Sequence, residues 1–300
     1  MIRIITDSVA SIPAEIAKAH DIEVVSLFVR HAGVEYKDAE MDLDDFYSRI
    51  DQMVDDLPTS SQPSQLTLEA LFEDAAKSDD EVLGIFISSR MSGTYEGAIR
   101  AARSVKERYA SFSCMLVDST SNSYDEAACV FDAVEARDSG ADLRACADAV
   151  VDGVSRSRFL FTPETLTFLK AGGRIGAAAA LLGNLIQLAP VLTVSNGEAS
   201  TFAKVRTRKK ALDRIVKTFA EDVEKHGLKR VVVHYIGDKT PALDWARSVI
   251  EPMVGHAVDV LPVSPVIGTH VGPAVGIAYE CKERILGKFS GECSELIYSV

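Results

Sequence analysis

The chain has 300 residues, 47% of them hydrophobic, and 32 lysines and arginines against 44 aspartates and glutamates give a formal net charge of −12 at pH 7. That length and apolar content support a large core, divided by default into two domains. The acidic balance excludes general affinity for nucleic acid or an anionic lipid surface, so any anionic ligand must be met by local groups.

Residues 2–5 read as a strand ending in Thr6-Asp7-Ser8 and lack the apolar length of a signal peptide, which predicts a cytoplasmic protein. Five cysteines, odd in number and without C-x-x-C spacing, fit reduced thiols rather than a disulfide framework. The six histidines are scattered, and neither a metal-binding H-E-x-x-H nor a Walker A, G-x-G-x-x-G or G-x-S-x-G motif occurs. No metal and no nucleotide cofactor is therefore expected.

After the first strand comes a helix with Pro13 near its first turn, then a strand over 23–29 and a short extended run over 34–38. Asp42 reads as the N-cap of a helix through Met53. Thr59-Ser60-Ser61-Gln62-Pro63-Ser64 is a small polar cluster ahead of a helix over 66–76. The apolar run 82–87 then reads as a buried strand feeding, through a polar turn over 88–94, a helix that reaches Tyr109. Such a junction aims unpaired N–H groups and the positive helix end at one point, which suits a carboxylate or phosphate. Ser89, Ser92 and Thr94 add neutral donors, although Ser92 also reads as an ordinary N-cap. A strand over 112–117 and helices over 124–137 and 143–155 complete a repetitive α/β domain, with a boundary near Arg156.

The second half opens on an apolar run over 158–161 and a short helix that Gly172 or Gly173 closes with a left-handed cap. Residues 177–188 are apolar and mostly small; Gly183, Asn184, Gln187 and Pro190 interrupt them, so a buried helix is preferred to a membrane span. Its small residues leave room for a ligand or allow close packing. A hairpin around Ser195-Asn196-Gly197 follows. Thr207 then caps an amphipathic helix ending near His226, and Arg206, Arg208, Lys209 and Lys210 crowd its start. Positive charge there opposes the helix dipole, which points to an external anion or to solvated side chains. A strand over 230–236, a helix over 241–254 and a strand over 257–263 lead to a loop, 267–276, in which glycines flank His270. The tail from Cys281 reads as a short helix and a loose end.

Taken together, Thr6-Asp7-Ser8, Ser61-Gln62-Pro63-Ser64, Ser88 to Tyr95, Asp118-Ser119, Gly172-Gly173-Arg174-Ile175, Arg206 to Lys210 and Gly268 to Pro273 occur in the order seen in the DegV family, which the chain resembles over nearly everything before the tail. The resemblance implies a two-domain α/β fold, an N-terminal parallel-sheet domain over 1–156 and a C-terminal α/β domain over 157–300, with a ligand tunnel at the interface. It implies a long-chain fatty acid as ligand and a separate ATP-dependent fatty acid kinase subunit as partner, with the catalytic ATP site on that partner. Carried over, Ser60, Ser61, Ser92, Gly93, Thr94 and His270 would bind the ligand. Arg174, Arg206, Arg208, Lys209 and Lys210 would face the partner or its phosphate, and His270 and Arg174 would assist phosphoryl transfer. Transient membrane contact is compatible with such a role. The sequence departs from the family pattern in having Ser60 for the first residue of Thr-Ser-Gln-Pro-Ser, and Ala274 for the last glycine of Gly-Pro-Gly.

Three other readings stand beside this one. A serine with His270 as base would make an acyl-ester hydrolase, a lipid carrier or sensor would not involve phosphorylation, and a self-contained small-molecule kinase is disfavoured by the missing phosphate loop.

Overall fold

The computed structural model describes residues 1–54, 56–181, 189–285 and 293–300. Its first strand, β1 (Ile2–Asp7), leads through α1 (Ala14–Ala19) to β2 (Ile22–Val25), which pairs with it in parallel. The single strand expected over 23–29 breaks at Ser26. That hydroxyl donates to the Leu27 carbonyl at 2.8 Å and accepts the Ala39 N–H at 3.0 Å, turning the chain out of the sheet. Periodicity could not show the break, because apolar residues continue on both sides of the single serine. β3 (Phe28–His31) instead joins β4 (Val34–Lys37) and β5 (Thr59–Ser61) in a small antiparallel sheet that sets Ser60 opposite Val29. Between β4 and β5, Asp42 caps α2 (Leu43–Ser48) by accepting the Asp45 N–H at 3.0 Å; the expected continuation to Met53 tightens into a 3-10 turn over Ile50–Val54.

The first domain continues with α3 (Gln65–Lys77), β6 (Glu81–Phe86), α4 (Thr94–Arg108), β7 (Cys114–Asp118), α5 (Ser123–Asp138) and α6 (Leu143–Arg156). Strands β2, β1, β6 and β7 lie side by side in parallel. Leu83 and Ile85 face α5 and α6, where they meet Val130 and Val150, while Val82 and Phe86 face Phe72 of α3 and Ala101 of α4. Burial on both faces is why residues 82–87 read as an unbroken apolar run. Between β1 and β6 the strand order reverses, and the carboxyl ends of strands at such a point are where α/β sheets take ligands. There the buried Asp7 carboxylate accepts the Val9 and Ile87 N–H groups, both at 2.9 Å.

β8 (Ser157–Pro163) begins the second sheet directly after α6. It is followed by α7 (Thr167–Ala171), β9 (Ala189–Ser195), β10 (Glu198–Val205), α8 (Arg208–His226), β11 (Leu228–Ile236), α9 (Thr240–Trp245), α10 (Glu251–Val254), β12 (Asp259–Pro262), α11 (Pro265–Val271) and β13 (Ala274–Cys281). A π-helical turn over Ala246–Ile250 joins α9 to α10. The mixed sheet runs β10-β9-β8-β13-β11-β12. Leu160, Val233 and Ile277 on one face pack under Ile215 and Phe219 of α8. Phe159, Phe161, Leu192 and Val194 on the other face meet Val9, Leu27, Val29 and Ile87 of the first domain. The β9–β10 turn, with Asn196 and Gly197 at φ 49° and 81°, has the mirror-image geometry that matches strand twist. It reaches across to the first domain, where the Ser88 hydroxyl donates to the Gly197 carbonyl at 2.7 Å.

Three expectations for this half are corrected. Residues Gly176–Leu181 form a 3-10 helix in which only Ala178 and Leu181 are buried, so Ala177, Ala179 and Ala180 face outward rather than framing a void; residues 182–188 lie outside the described residues. The expected loop over 267–276 is the end of α11 and the start of β13. Its glycines mostly permit close packing, since a Cβ on Gly268 would lie 2.6 Å from the Tyr47 ring and one on Gly276 would lie 2.6 Å from the Leu160 carbonyl; only Gly272, at φ 70°, uses the left-handed region. The tail is not a loose end of the second domain. β14 (Ile297–Ser299) returns to the first sheet and pairs antiparallel with β7.

Candidate functional site

Between the two domains lies a cavity of about 330 Å³, within the usual size of small-molecule sites, roughly 300–1,000 Å³. Much of its wall is apolar, with Leu27, Ile87, Phe159, Phe161, Val194 and Ile267 contributing from both domains. Local sequence explains where its polar groups come from. β5 presents Ser60 and Ser61; the polar turn after β6 presents Ser92 and Gly93 at the start of α4; α11 presents His270 in its last turn; and the Gly172-Gly173 turn after α7 presents Arg174.

Ser60 and His270 are 210 residues apart in sequence, yet Ser60 Oγ lies 2.8 Å from His270 Nε2. Burial, with the Arg174 guanidinium adding to it, pushes the His270 imidazole down to about 4, so the ring is neutral at physiological pH. Its buried Nδ1 has no hydrogen-bond partner among the described residues. An N–H left there would be an unsatisfied donor, whereas a bare nitrogen is the cheaper orphan, which favours the proton on Nε2. His270 then donates to Ser60 Oγ, and the serine hydroxyl is free to donate into the cavity. Gly172 backs the ring closely enough that a Cβ on it would collide with Nδ1. Exposed Arg174 is anchored by donating from Nη1 to the Gly172 carbonyl at 2.7 Å and from Nε to the Met91 carbonyl at 3.3 Å.

The helix cap at the second serine differs from expectation. Gly93 is the N-cap residue of α4, while Ser92 Oγ accepts the Thr94 N–H at 3.3 Å and lies 2.8 Å from Thr94 Oγ1. Ser92 therefore has a hydroxyl held at the positive end of a 15-residue helix, beside the cavity. Thr94 is fully buried behind it and lies outside the cavity lining. The structure thus brings Ser60, Ser61, Ser92, Gly93, Arg174 and His270 together. It leaves Arg206, Arg208, Lys209 and Lys210 apart, exposed around the start of α8, where Thr207 caps the helix through the Lys210 N–H at 3.2 Å and Arg208 pairs with Glu164.

Three further wall residues were not among the candidate site residues. Gln62 covers the start of α4 so closely that a Cβ on Gly93 would collide with its Oε1. His234, inward-facing within an apolar strand, accepts the Tyr124 N–H at Nε2 (3.2 Å) and donates from Nδ1 to the Leu261 carbonyl at 2.9 Å; burial pushes it down to about 4. Asn122 enters from the β7–α5 loop. Its signal was available in the polar run after Asp118, and that of His234 in strand alternation; neither says which residues share a cavity.

A family model described as "Uncharacterised protein, DegV family" matches residues 1–282. A DegV domain-containing protein of Clostridium acetobutylicum is 37% identical over 290 residues, covering 95% of this chain and 99% of the relative. Among solved structures, one described as fatty acid binding of a DegV family protein from Thermus thermophilus superposes with a TM-score of 0.82 at 31% identity, covering 93% of this chain and 99% of that one. A stearic-acid-binding protein from Eubacterium ventriosum superposes with a TM-score of 0.84 at 25% identity, covering 94% and 99%. The agreement spans both domains, so the two-domain α/β architecture is that of these structures.

Proposed function

The chain belongs to the DegV family, and from that membership and the cavity we propose that it holds a long-chain fatty acid between its N-terminal domain, 1–156, and the C-terminal domain that begins at 157. The observation that carries this reading is the division of one cavity into an apolar wall and a polar cluster of neutral donors, Ser60, Ser92 and His270, with Arg174 at its edge. A carboxylate there meets the Ser60 hydroxyl, polarised by the neutral His270 behind it, and the Ser92 hydroxyl at the start of α4. Burying about fifteen methylenes at about 0.8 kcal/mol each supplies on the order of 12 kcal/mol before ordering costs. The tail therefore dominates affinity, and the polar groups orient the head.

The same orientation suits presentation of the carboxyl to a separate ATP-dependent kinase subunit in the cytoplasm, which would convert it to an acyl phosphate. His270 and Arg174 are the groups at hand to stabilise charge during that transfer. Exposed Arg206, Arg208, Lys209 and Lys210 give an otherwise acidic chain a basic surface for docking. No helix among the described residues is long and apolar enough to cross a membrane.

Mass spectrometry of lipid extracted under denaturing conditions from the purified chain tests the first step. A long-chain fatty acid in near-equimolar amount is expected, and a lipid-free, folded chain that takes up none sinks the reading. Mixing with the kinase subunit and ATP tests the second. Reversing the charges of Arg206 to Lys210 is expected to depress acyl phosphate formation while lipid retention stays intact, and equal loss of both would count against a docking role.

The 2.8 Å contact of Ser60 with His270 also favours a second reading, an acyl-ester hydrolase. Against it, Nδ1 of the histidine lacks the acidic partner that would orient and charge-stabilise a catalytic imidazole, and burial makes the ring a weak base. Turnover of a chromogenic acyl ester, lost in Ser60→Ala, would favour the hydrolase.

A further inference from the structure

The loop between β7 and α5 is wholly buried and held in an uncommon backbone shape. Thr120 and Ser123 have φ of 51° and 56°, a region that costs a non-glycine residue about 1 kcal/mol or more, the β-branched threonine especially. Several bonds over-determine the shape: Asp118 Oδ1 accepts the Thr120 N–H at 2.8 Å, Ser119 Oγ accepts the Ser121 N–H at 3.2 Å, and the Ser121 carbonyl accepts the Ser88 N–H at 2.9 Å. Between the two strained residues stands Asn122, 6% exposed, and it lines the cavity.

Asn122 is under-used as a hydrogen-bonding group. Its Oδ1 accepts the Ser123 hydroxyl at 2.8 Å, but its amide nitrogen, with two hydrogens to donate, has among the described residues only the Met91 thioether at 3.3 Å. Thioether sulfur is a weak acceptor on a flexible side chain that moves aside at little cost. The other polar group entering from this side, His234, has both ring nitrogens satisfied, and the Phe159 ring packs against it with centroids 5.8 Å apart. The wall here thus offers a donor whose one protein partner is a weak thioether acceptor, and which takes no part in the Ser60–His270 hydrogen bond.

We propose that Asn122 is a specificity-determining residue for acyl chains bearing an oxygen along their length, so that the ligands of this cavity include hydroxylated long-chain fatty acids. This rests on the fatty-acid reading above. The chain oxygen accepts the Asn122 Nδ2–H as Met91 moves aside, whereas an unsubstituted chain leaves the thioether in place. Exchanging the weak thioether acceptor for an oxygen strengthens the amide's hydrogen bond, a gain that the analogue lacking the oxygen does not supply.

The test uses the delipidated full-length chain and measures binding of stearate and of hydroxystearates with the hydroxyl at successive carbons. For one position or two adjacent ones, the affinity ratio of hydroxystearate to stearate is expected to be about tenfold higher for wild type than for Asn122→Leu, the effect of a single hydrogen bond. Met91→Leu, which keeps the amide and removes its protein acceptor, is expected to widen that isomer's advantage, and it decides the matter if Asn122→Leu does not fold. Ratios that stay within twofold of wild type for every isomer in the folded variants overturn the proposal while leaving fatty acid binding standing. Failure of the wild-type chain to bind stearate or any hydroxystearate overturns both.

Discussion

On the proposed fatty-acid reading, Ser92 and His270 would act on the ligand head group through different physics, and each can be tested alone. Ser92 would contribute a hydroxyl to a charged acceptor, an interaction of about 1.5–3 kcal/mol, so Ser92→Ala is expected to weaken fatty acid binding by roughly 10- to 150-fold without abolishing it. Complete loss of bound lipid from a folded variant would contradict the dominance of the tail. His270 titrates near 4 when folded, against about 6.5 for the free side chain. Between those values the unfolded chain takes up a proton that the folded one refuses, so this residue's contribution is intact above pH 6.5 and is lost as pH falls towards 4. Asp7, pushed up to about 7 by burial, biases stability the opposite way, so the informative quantity is the difference between variant and wild type. In urea denaturation at pH 7 and 4.5, His270→Gln is expected to lose less stability than wild type, by up to about 1.4 kcal/mol per pH unit. Parallel pH profiles would place the ring in contact with solvent.

At the scale of elements, position in the sheets decides what each segment contributes. β14 covers the outer edge of β7: Val300 donates its N–H to the Cys114 carbonyl at 3.0 Å, and the Tyr95 hydroxyl donates to the Leu296 carbonyl at 3.3 Å. A stop codon after Ile285 is expected to cost at least about 2 kcal/mol from Leu296 burial alone and to leave β7 as an open edge prone to self-pairing. A lowered unfolding midpoint together with concentration-dependent association in light scattering would show both effects. Unchanged stability would mean the tail is an ornament of the sheet. α11 is the other decisive element. It is short, capped at Ser264 and pinned by the Tyr47 hydroxyl, which donates to the Val263 carbonyl at 2.7 Å, and so it delivers His270 to Ser60 as part of a rigid helix rather than a mobile loop.

For the whole molecule, the arrangement of the two domains sets the cavity, and a buried ionic cluster helps to set that arrangement. Asp132 on α5 meets Lys229 Nζ at 2.6 Å and Arg230 Nη1 at 2.7 Å on β11, and Arg156 Nη2 at 2.6 Å at the end of α6; Arg230 and Arg156 also pair with the buried Glu280 of β13. Removing the Asp132 charge leaves three partly desolvated cations to share the remaining carboxylates, of which only Glu280 is fully buried. Asp132→Asn is therefore expected to cost roughly 3–5 kcal/mol in denaturant unfolding, and a loss below 1 kcal/mol would mean that apolar packing alone holds the domains together.

Much of the N-terminal sheet was legible from residue order, because strands buried on both faces leave unbroken apolar runs and helices that pack on them repeat every three or four residues. The polar ends of those strands, with Asp7 and Ser92, were legible for the same reason, a change of element that punctuates the chain, whereas the polar cluster holding Ser60 proved to be a strand, β5. The break at Ser26, the helical setting of His270 and the return of residues 297–299 to the first sheet were not. Each depends on a partner far along the chain, such as Ala39, Tyr47 or Cys114, and local pattern carries no record of distant partners. Sequence by itself determined most elements of the N-terminal sheet, the polar segments between them and the family. Tertiary structure alone decided which donors share a cavity, that Asn122 and His234 join its wall, and that Thr94 and the basic cluster do not, since a cavity is the space left between domains and belongs to no single segment.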